Sequence, residues 1–365
     1  MPTSRNRARA VAAAAAALST LALTVGAAQG VAAHPSEAAQ TSAGHTSHLH
    51  KLLSPAQKYY GVYVSQAPSS LAPVDTVTQE TGKQPNMSLF YEDWGAGAAS
   101  GVSNIQTSSV ENACNDGMLP MLTWESWDTS DTGPNGVNVT QHAFKPTKIT
   151  AGKYDAYITA SADRIKGLTC PIALRLDQED NGDWYPWGVN TPGMSTSASD
   201  YVAMYRHVWK IFHHEGVDNV LWVWSPNIQS HKHKNLPKLS KSYPGKKYVD
   251  WVGIDGYEYN DPNERFHELF QPTIDQIKTF AGDKPWIIAE CGVGTGSTKP
   301  KQLKNMVKAV ARRKKFNGLN YFDTDKPGNA SDWLLNETPS SLKAFSKAIA
   351  NPVFGSGTPG EVPGD

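Results

Sequence analysis

Two glutamates stand at the ends of short apolar runs. Glu179 follows Ile172–Leu176, and Glu290 follows Trp286–Ala289. A carboxyl pair facing across a gap is what hydrolysis of a glycosidic bond requires. One group protonates the leaving oxygen while the other attacks or stabilises the anomeric carbon. A separation of about 5–5.5 Å gives retention and roughly 6.5–9.5 Å gives inversion. The acid of such a pair needs a raised pKa, which burial and a nearby negative charge produce. Trp184, Tyr185 and Trp187 follow Glu179 closely and supply apolar walls. Position alone does not single this pair out. Glu92, Asp93, Glu125 and Asp255 also end apolar runs, and a glutamate in such a place is ordinarily solvated or salt-bridged.

The elements that must position these groups recur in a rhythm. Eight β-rich segments are read at Tyr59–Val64, Met87–Tyr91, Leu119–Trp124, Ile172–Leu176, Val220–Trp224, Trp251–Ile254, Trp286–Ala289 and Gly318–Phe322. Helical spacing marks several intervals. Tyr201, Met204, Tyr205, Val208 and Phe212 share one face of Ser199 to His214, and Leu303, Met306, Val307 and Val310 share one of Leu303 to Arg313. Strands apolar on both faces and alternating with helices predict a parallel sheet. Eight such units predict a single-domain (β/α)8 TIM barrel of the α/β class, with its chemistry at the C-terminal strand ends. A doubly wound open sheet is the alternative, but no Gly-rich phosphate turn follows an early strand. In the barrel, strands four and seven lie across the mouth from each other, so Glu179 and Glu290 converge.

The segment Arg175-Leu176-Asp177-Gln178-Glu179-Asp180-Asn181-Gly182-Asp183-Trp184-Tyr185-Pro186-Trp187-Gly188 closely resembles the acid/base motif of glycoside hydrolase family 26. Lys284-Pro285-Trp286-Ile287-Ile288-Ala289-Glu290-Cys291-Gly292 resembles its nucleophile strand. Leu221 to Asn227 and Tyr248 to Tyr257 are similar to its fifth and sixth strand segments, and Asp332-Trp333 to a late aromatic position; the likeness runs from Tyr59 to Ile349. The resemblance implies a retaining double displacement, with Glu179 as acid/base and Glu290 as nucleophile. It also implies that Tyr257 donates a hydrogen bond to Glu290, that Arg175 orients carboxylates beneath the sugar, and that Trp184 stacks on a sugar ring. With Gln178, Trp333 and Trp124 these residues form the expected substrate-binding set. The chain departs from the family at Gln178, where a His is usual, and at Asp180, where a Met is usual. Gln178 still donates and accepts, and Asp180 is expected to face the barrel wall or solvent. Thr123-Trp124-Glu125 stands where mannanases tend to have Ser-Trp-His and looks closer to glucan-acting relatives. The expected substrate is β-1,4-mannan. Mixed-linkage β-1,3-1,4-glucan is the alternative, and a non-catalytic carbohydrate-binding barrel a third.

The remaining sequence sets the frame. Equal numbers of basic and acidic residues, 34 each, give no electrostatic reason for a nucleic-acid or anionic-surface partner. No cofactor or metal is expected, and a monomer is. Arg5, Arg7 and Arg9 precede the uncharged run Ala10 to Gly26 and then small residues. This is the layout of a signal peptide over 1–33 and predicts secretion. Residues 34–56, with His34, His45, His48 and His50, read as a disordered linker, 57–352 as the barrel and 353–365 as a disordered Gly/Pro-rich tail. Lys232, Lys234, Lys238 and Lys241 read as a solvated basic loop. Cys114 and Cys170 precede the third and fourth strands, which start side by side at the barrel's bottom, so a disulfide between them is expected. Cys291 should point away from a cleft that receives Glu290, because side chains alternate along a strand. His213 and His214 are adjacent and so face different sides of a helix, poorly placed to share a metal.

Overall fold

The structure, a computed structural model, describes residues 49–133, 136–229, 237–259, 261, 265–325 and 332–361. The expected signal peptide, the histidines at 34, 45 and 48, and Lys232 and Lys234 lie outside these residues. Eight parallel strands close into a barrel in sequence order: β1 (Tyr59–Tyr63), β2 (Met87–Asp93), β3 (Leu119–Glu125), β4 (Ile172–Leu176), β5 (Val220–Trp224), β6 (Trp251–Glu258), β7 (Trp286–Val293) and β8 (Phe316–Phe322). Closure runs through β1 and β8, from Tyr59 opposite Gly318 to Tyr63 opposite Phe322. The chain therefore forms the expected TIM barrel and not an open sheet.

A helix follows each strand: α1 (Ala72–Thr81), α2 (Thr107–Asn115), α3 (Asp155–Lys166), α4 (Ala198–His214), α5 (Leu239–Ser242), α6 (Phe266–Ala281), α7 (Lys299–Arg312) and α8 (Pro339–Ile349). α4 starts where Ser197 and Asp200 form a reciprocal capping box. Its apolar face, Tyr201 to Phe212, is buried as the spacing predicts.

Alternation along the strands sorts two cores. Tyr59, Met87, Leu89, Leu119, Met121, Leu221, Val223, Trp251 and Ile287 fill the barrel interior. Residues of opposite parity join the larger layer between sheet and helices. Gly61 is needed inside, since a Cβ there would lie 1.7 Å from Asn320 Oδ1. Cys114 and Cys170 are disulfide-bonded with Cα atoms 6.4 Å apart, joining the end of α2 to the approach to β4.

The described parts of both edges expected to be disordered are ordered. Residues 49–53 form a helical turn that places Leu52 against the barrel's lower interior, 2% exposed, and Leu53 O accepts from Asn317 Nδ2 at 2.8 Å. Beyond 352 the chain crosses the same face. Phe354 is buried, Lys58 N donates to Val353 O at 2.7 Å and Gly360 N to Asn115 O at 2.7 Å. Polar composition in one segment and Gly/Pro content in the other suggested disorder, but a few apolar anchors and backbone hydrogen bonds at the barrel's lower rim order residues 49–56 and 353–361.

Candidate active site

Above the apolar interior the inward positions turn polar. Arg175 on β4 is fully buried and spans the barrel. Its Nε donates to Thr123 Oγ1 at 2.8 Å, its Nη1 to Asp255 Oδ2 at 2.8 Å, and its Nη2 to Tyr91 OH at 3.1 Å and to Glu290 Oε1. Asp255 also accepts from Ser225 Oγ at 2.8 Å. One guanidinium thus ties β2, β3, β4, β6 and β7 together beneath the mouth. A cation so placed is held by two carboxylates and two hydroxyls, which replace the water it has lost.

Glu290 reaches this layer through a register shift. Ile254 pairs with Ile288, but Asp255 pairs with Glu290, so β7 holds one extra residue there. A bulge of this kind re-aims a side chain. Simple alternation from Ile287 through Ala289, both interior, would turn Glu290 outward. The bulge turns it inward and leaves Cys291 in the outer layer, where Sγ donates to Asn320 O at 3.3 Å and burial pushes the thiol pKa well up. Besides Arg175, Tyr91 OH donates to Glu290 Oε1 and Tyr257 OH to Oε2.

Glu179 arrives by a different device. β4 ends at Leu176, and Asp177 and Glu179 both take left-handed backbone conformations, φ 47° and 56°. Such conformations are unfavourable for non-glycine residues and persist only when clamped. Here Ser126 N and Oγ each donate to the Asp177 carboxylate at 2.7 Å, and Glu179 N donates to Ser225 O at 2.7 Å. The turn carries Glu179 over the mouth. Trp184 Nε1 donates to its Oε2 at 2.6 Å, and Asn227 Nδ2 donates to its Oε1. Asn227 is itself gripped, its N donating to Asn181 Oδ1 and its O accepting from Asn181 Nδ2, each at 2.9 Å. Burial, reinforced by the negative charge of Glu290, raises the Glu179 pKa to about 7. The carboxyl therefore holds a proton near neutrality, as a general acid must.

Gln178 turns the other way from Glu179. Its Nε2 donates to Glu125 Oε1 at 2.5 Å, and its O accepts from Trp187 Nε1 at 2.7 Å. Asp180 is buried behind the mouth, accepting from Trp224 Nε1 at 3.0 Å, in the barrel wall as one of its two expected placements had it.

The expected binding set divides. Arg175, Trp184 and Tyr257 bond the carboxyl pair directly, whereas the Gln178 side chain bonds Glu125 beside it. Trp124 does not. It is fully buried between sheet and helices against Trp94, Tyr157 and Phe212, because Thr123 and Glu125 take the inward parity of β3. Trp333 is 3% exposed and packs behind Tyr257 with ring centroids 4.8 Å apart, so it backs Tyr257 and offers no open face. Gly292 leaves room for this pair, since a Cβ there would lie 2.9 Å from Tyr257 and 3.0 Å from Trp333. Trp187 is also buried, stacked on Tyr185 at 4.6 Å. The residues missed were Tyr91, Thr123, Asn181, Ser225 and Asn227. The polar cluster Trp224-Ser225-Pro226-Asn227 after β5 was the available signal for the last two. Among the described residues no group of three or more His, Cys, Asp or Glu is arranged to hold a metal, and no helix is long and apolar enough to cross a membrane.

Known proteins resemble this chain. Endoglucanase H of Acetivibrio thermocellus is 29% identical over 242 residues, 64% of this chain and 25% of that one. A mannan endo-1,4-β-mannosidase of Bacillus subtilis is 24% identical over 252 residues, 62% of this chain and 63% of that one. The chain thus spans less than two thirds of either relative. A family 26 β-mannanase from Bacteroides ovatus superposes with a TM-score of 0.62 at 18% identity, covering 86% of this chain and 94% of that one, and so shares the fold. The model of Glycosyl hydrolase family 26 matches residues 99–333, a stretch that contains Arg175, Glu179, Asn227, Tyr257 and Glu290. With that match over a closed barrel whose mouth holds the carboxyl pair, the chain belongs to glycosyl hydrolase family 26.

Proposed function

We propose that the chain is a secreted, monomeric, retaining endo-β-glycanase whose backbone substrate is β-1,4-mannan. The observation that carries this reading is the unlike setting of two carboxyls at one mouth. Glu290 meets a guanidinium and two phenol donors, whereas Glu179 is buried, raised to about 7 and held by two neutral N–H donors. In the first step a Glu290 oxygen attacks the anomeric carbon, the bond to the leaving oxygen breaks, and the Glu179 proton passes to that oxygen. In the second, Glu179 takes a proton from water, the water oxygen attacks the same carbon, and Glu290 departs as carboxylate. Secretion rests on the basic start and apolar run of the first residues.

Several relatives named mannan endo-1,4-β-mannosidase support mannan as the substrate. Mixed-linkage β-glucan is the second reading, favoured by the likeness to an endoglucanase and by Glu125 with Gln178 in place of histidines. The test is product analysis on glucomannan, galactomannan and barley β-glucan, with the first-formed anomer followed by NMR. Oligosaccharides released from mannans as β-anomers are expected. Release from barley glucan alone would replace mannan with glucan, and α-anomers formed first would overturn the retaining mechanism. Glu179→Ala and Glu290→Ala are expected to lose activity by at least about 10³-fold. Azide should restore part of the activity on an activated aryl glycoside for Glu179→Ala, with a β-glycosyl azide as product.

A further inference from the structure

A third carboxyl group at the mouth has no part in the double displacement. Glu125 ends β3 with inward parity, beside the Thr123 that holds Arg175. It is 5% exposed, and Arg175 and Glu290 are close enough to influence it electrostatically. Its field also reaches Tyr63 and Tyr185 at the mouth. Among the described residues it has no ion pair, since those of Arg175 go to Asp255 and Glu290. Its two partners are neutral donors, one to each oxygen: Gln178 Nε2 at 2.5 Å and Trp127 Nε1 at 3.1 Å. A carboxylate oxygen has two acceptor positions, so each oxygen retains one.

The supports of Glu125 are unusually stiff. Trp127 meets Tyr185 and Trp187 edge-on at 5.4 and 5.7 Å. Tyr185 and Trp187 stack on each other, and Trp187 Nε1 holds the Gln178 carbonyl at 2.7 Å. Three aromatic rings thus lock both members of the pair, the kind of support that holds a binding group to a fraction of an ångström.

We infer that Glu125, held by Gln178 and Trp127, is a specificity-determining residue that hydrogen-bonds ring hydroxyls of the sugar at the cleavage subsite. Gln178 is its positioning residue. Mannose and glucose differ only in the direction of one ring hydroxyl, so discrimination must come from polar groups fixed near that ring. A site built to hydrogen-bond a hydroxyl discriminates strongly, because a mismatched substrate leaves buried polar groups unpaired.

This rests on the glycanase reading above, and the test separates the two. Glu125→Gln, Glu125→Ala, Gln178→Ala and the Glu125→Ala/Gln178→Ala double variant are assayed on mannan and on barley β-glucan, with thermal melting alongside. For Glu125→Ala, kcat/KM on the preferred glycan should fall at least 50-fold and the ratio between the two glycans should change at least tenfold. Glu125→Gln should fall less, and the double variant should be no worse than Glu125→Ala. Equal losses on both glycans, a ratio within threefold of wild type in folded protein, or additive losses in the double variant would overturn the inference. If those results appear while Glu179→Ala and Glu290→Ala are inactive, the glycanase reading stands and only this inference fails. If those two variants remain active, the glycanase reading itself fails.

Discussion

Two carboxyl groups of one mouth acquire different characters through their neighbours. Asn227 and Trp184 each donate to the charged form of Glu179 and so hold its pKa down, while burial and the charge of Glu290 push it up to about 7. Removing a donor should let the upward pressure win. Asn227→Ala is expected to move the alkaline limb of the kcat/KM profile to higher pH by up to about one unit. The check is a pH series from 4 to 9 on a soluble substrate, and an unmoved or downward-moved limb would contradict the assignment of Glu179 as the acid. In the native enzyme the same limb should fall near pH 7, where Glu179 gives up its proton.

The elements deliver these side chains by local irregularities. The extra residue in β7 and the left-handed pair at Asp177 and Glu179 aim the two glutamates. The Cys114–Cys170 bridge lies below them, where it ties α2 to the approach to β4 across 56 residues. Replacing both cysteines with serine is expected to lower the unfolding free energy by about 2–4 kcal/mol. It should leave kcat/KM nearly unchanged, as urea denaturation paired with an activity assay will show.

The apolar runs announced all eight strands, because a barrel strand is buried on both faces. They placed the upper ends of β2, β3, β6 and β7 too early; in β3, β6 and β7 the residues that extend the strand include the polar groups of the site itself, Glu125, Asp255, Tyr257 and Glu290. They could not show parity either. Leu119 to Glu125 is buried throughout, so nothing in its pattern says that Trp124 faces the helices and Glu125 the mouth. The roles of Tyr91, Asn181 and Asn227 depend on contacts between strands far apart in the chain, and no local spacing encodes these. Glu179 and Glu290 were legible because long motifs surround them.

At the scale of the molecule the barrel carries a load of buried carboxyls. Burial raises Glu92, Glu125 and Asp180 to about 7 and Asp177 to about 8. Each binds its proton more tightly folded than unfolded. Stability from these groups is therefore greatest at acid pH and falls as pH rises from the ordinary carboxyl range through about 7–8. Unfolding free energy should be higher at pH 5 than at pH 8. Asp180→Asn, which can still accept from Trp224, should recover on the order of 2 kcal/mol at pH 8 and nothing near pH 4. A variant equally destabilised at both values would count against this account.

The lower rim of the barrel has a consequence for anything joined to this enzyme. The turn at 49–53 and the crossing segment at 353–361 both lie on the face opposite the carboxyl pair. The catalytic body is thus approached from both chain directions at its back. A module, bead or surface linked at either place would stand behind the barrel, and the cleft would still face outward to an extended polymer.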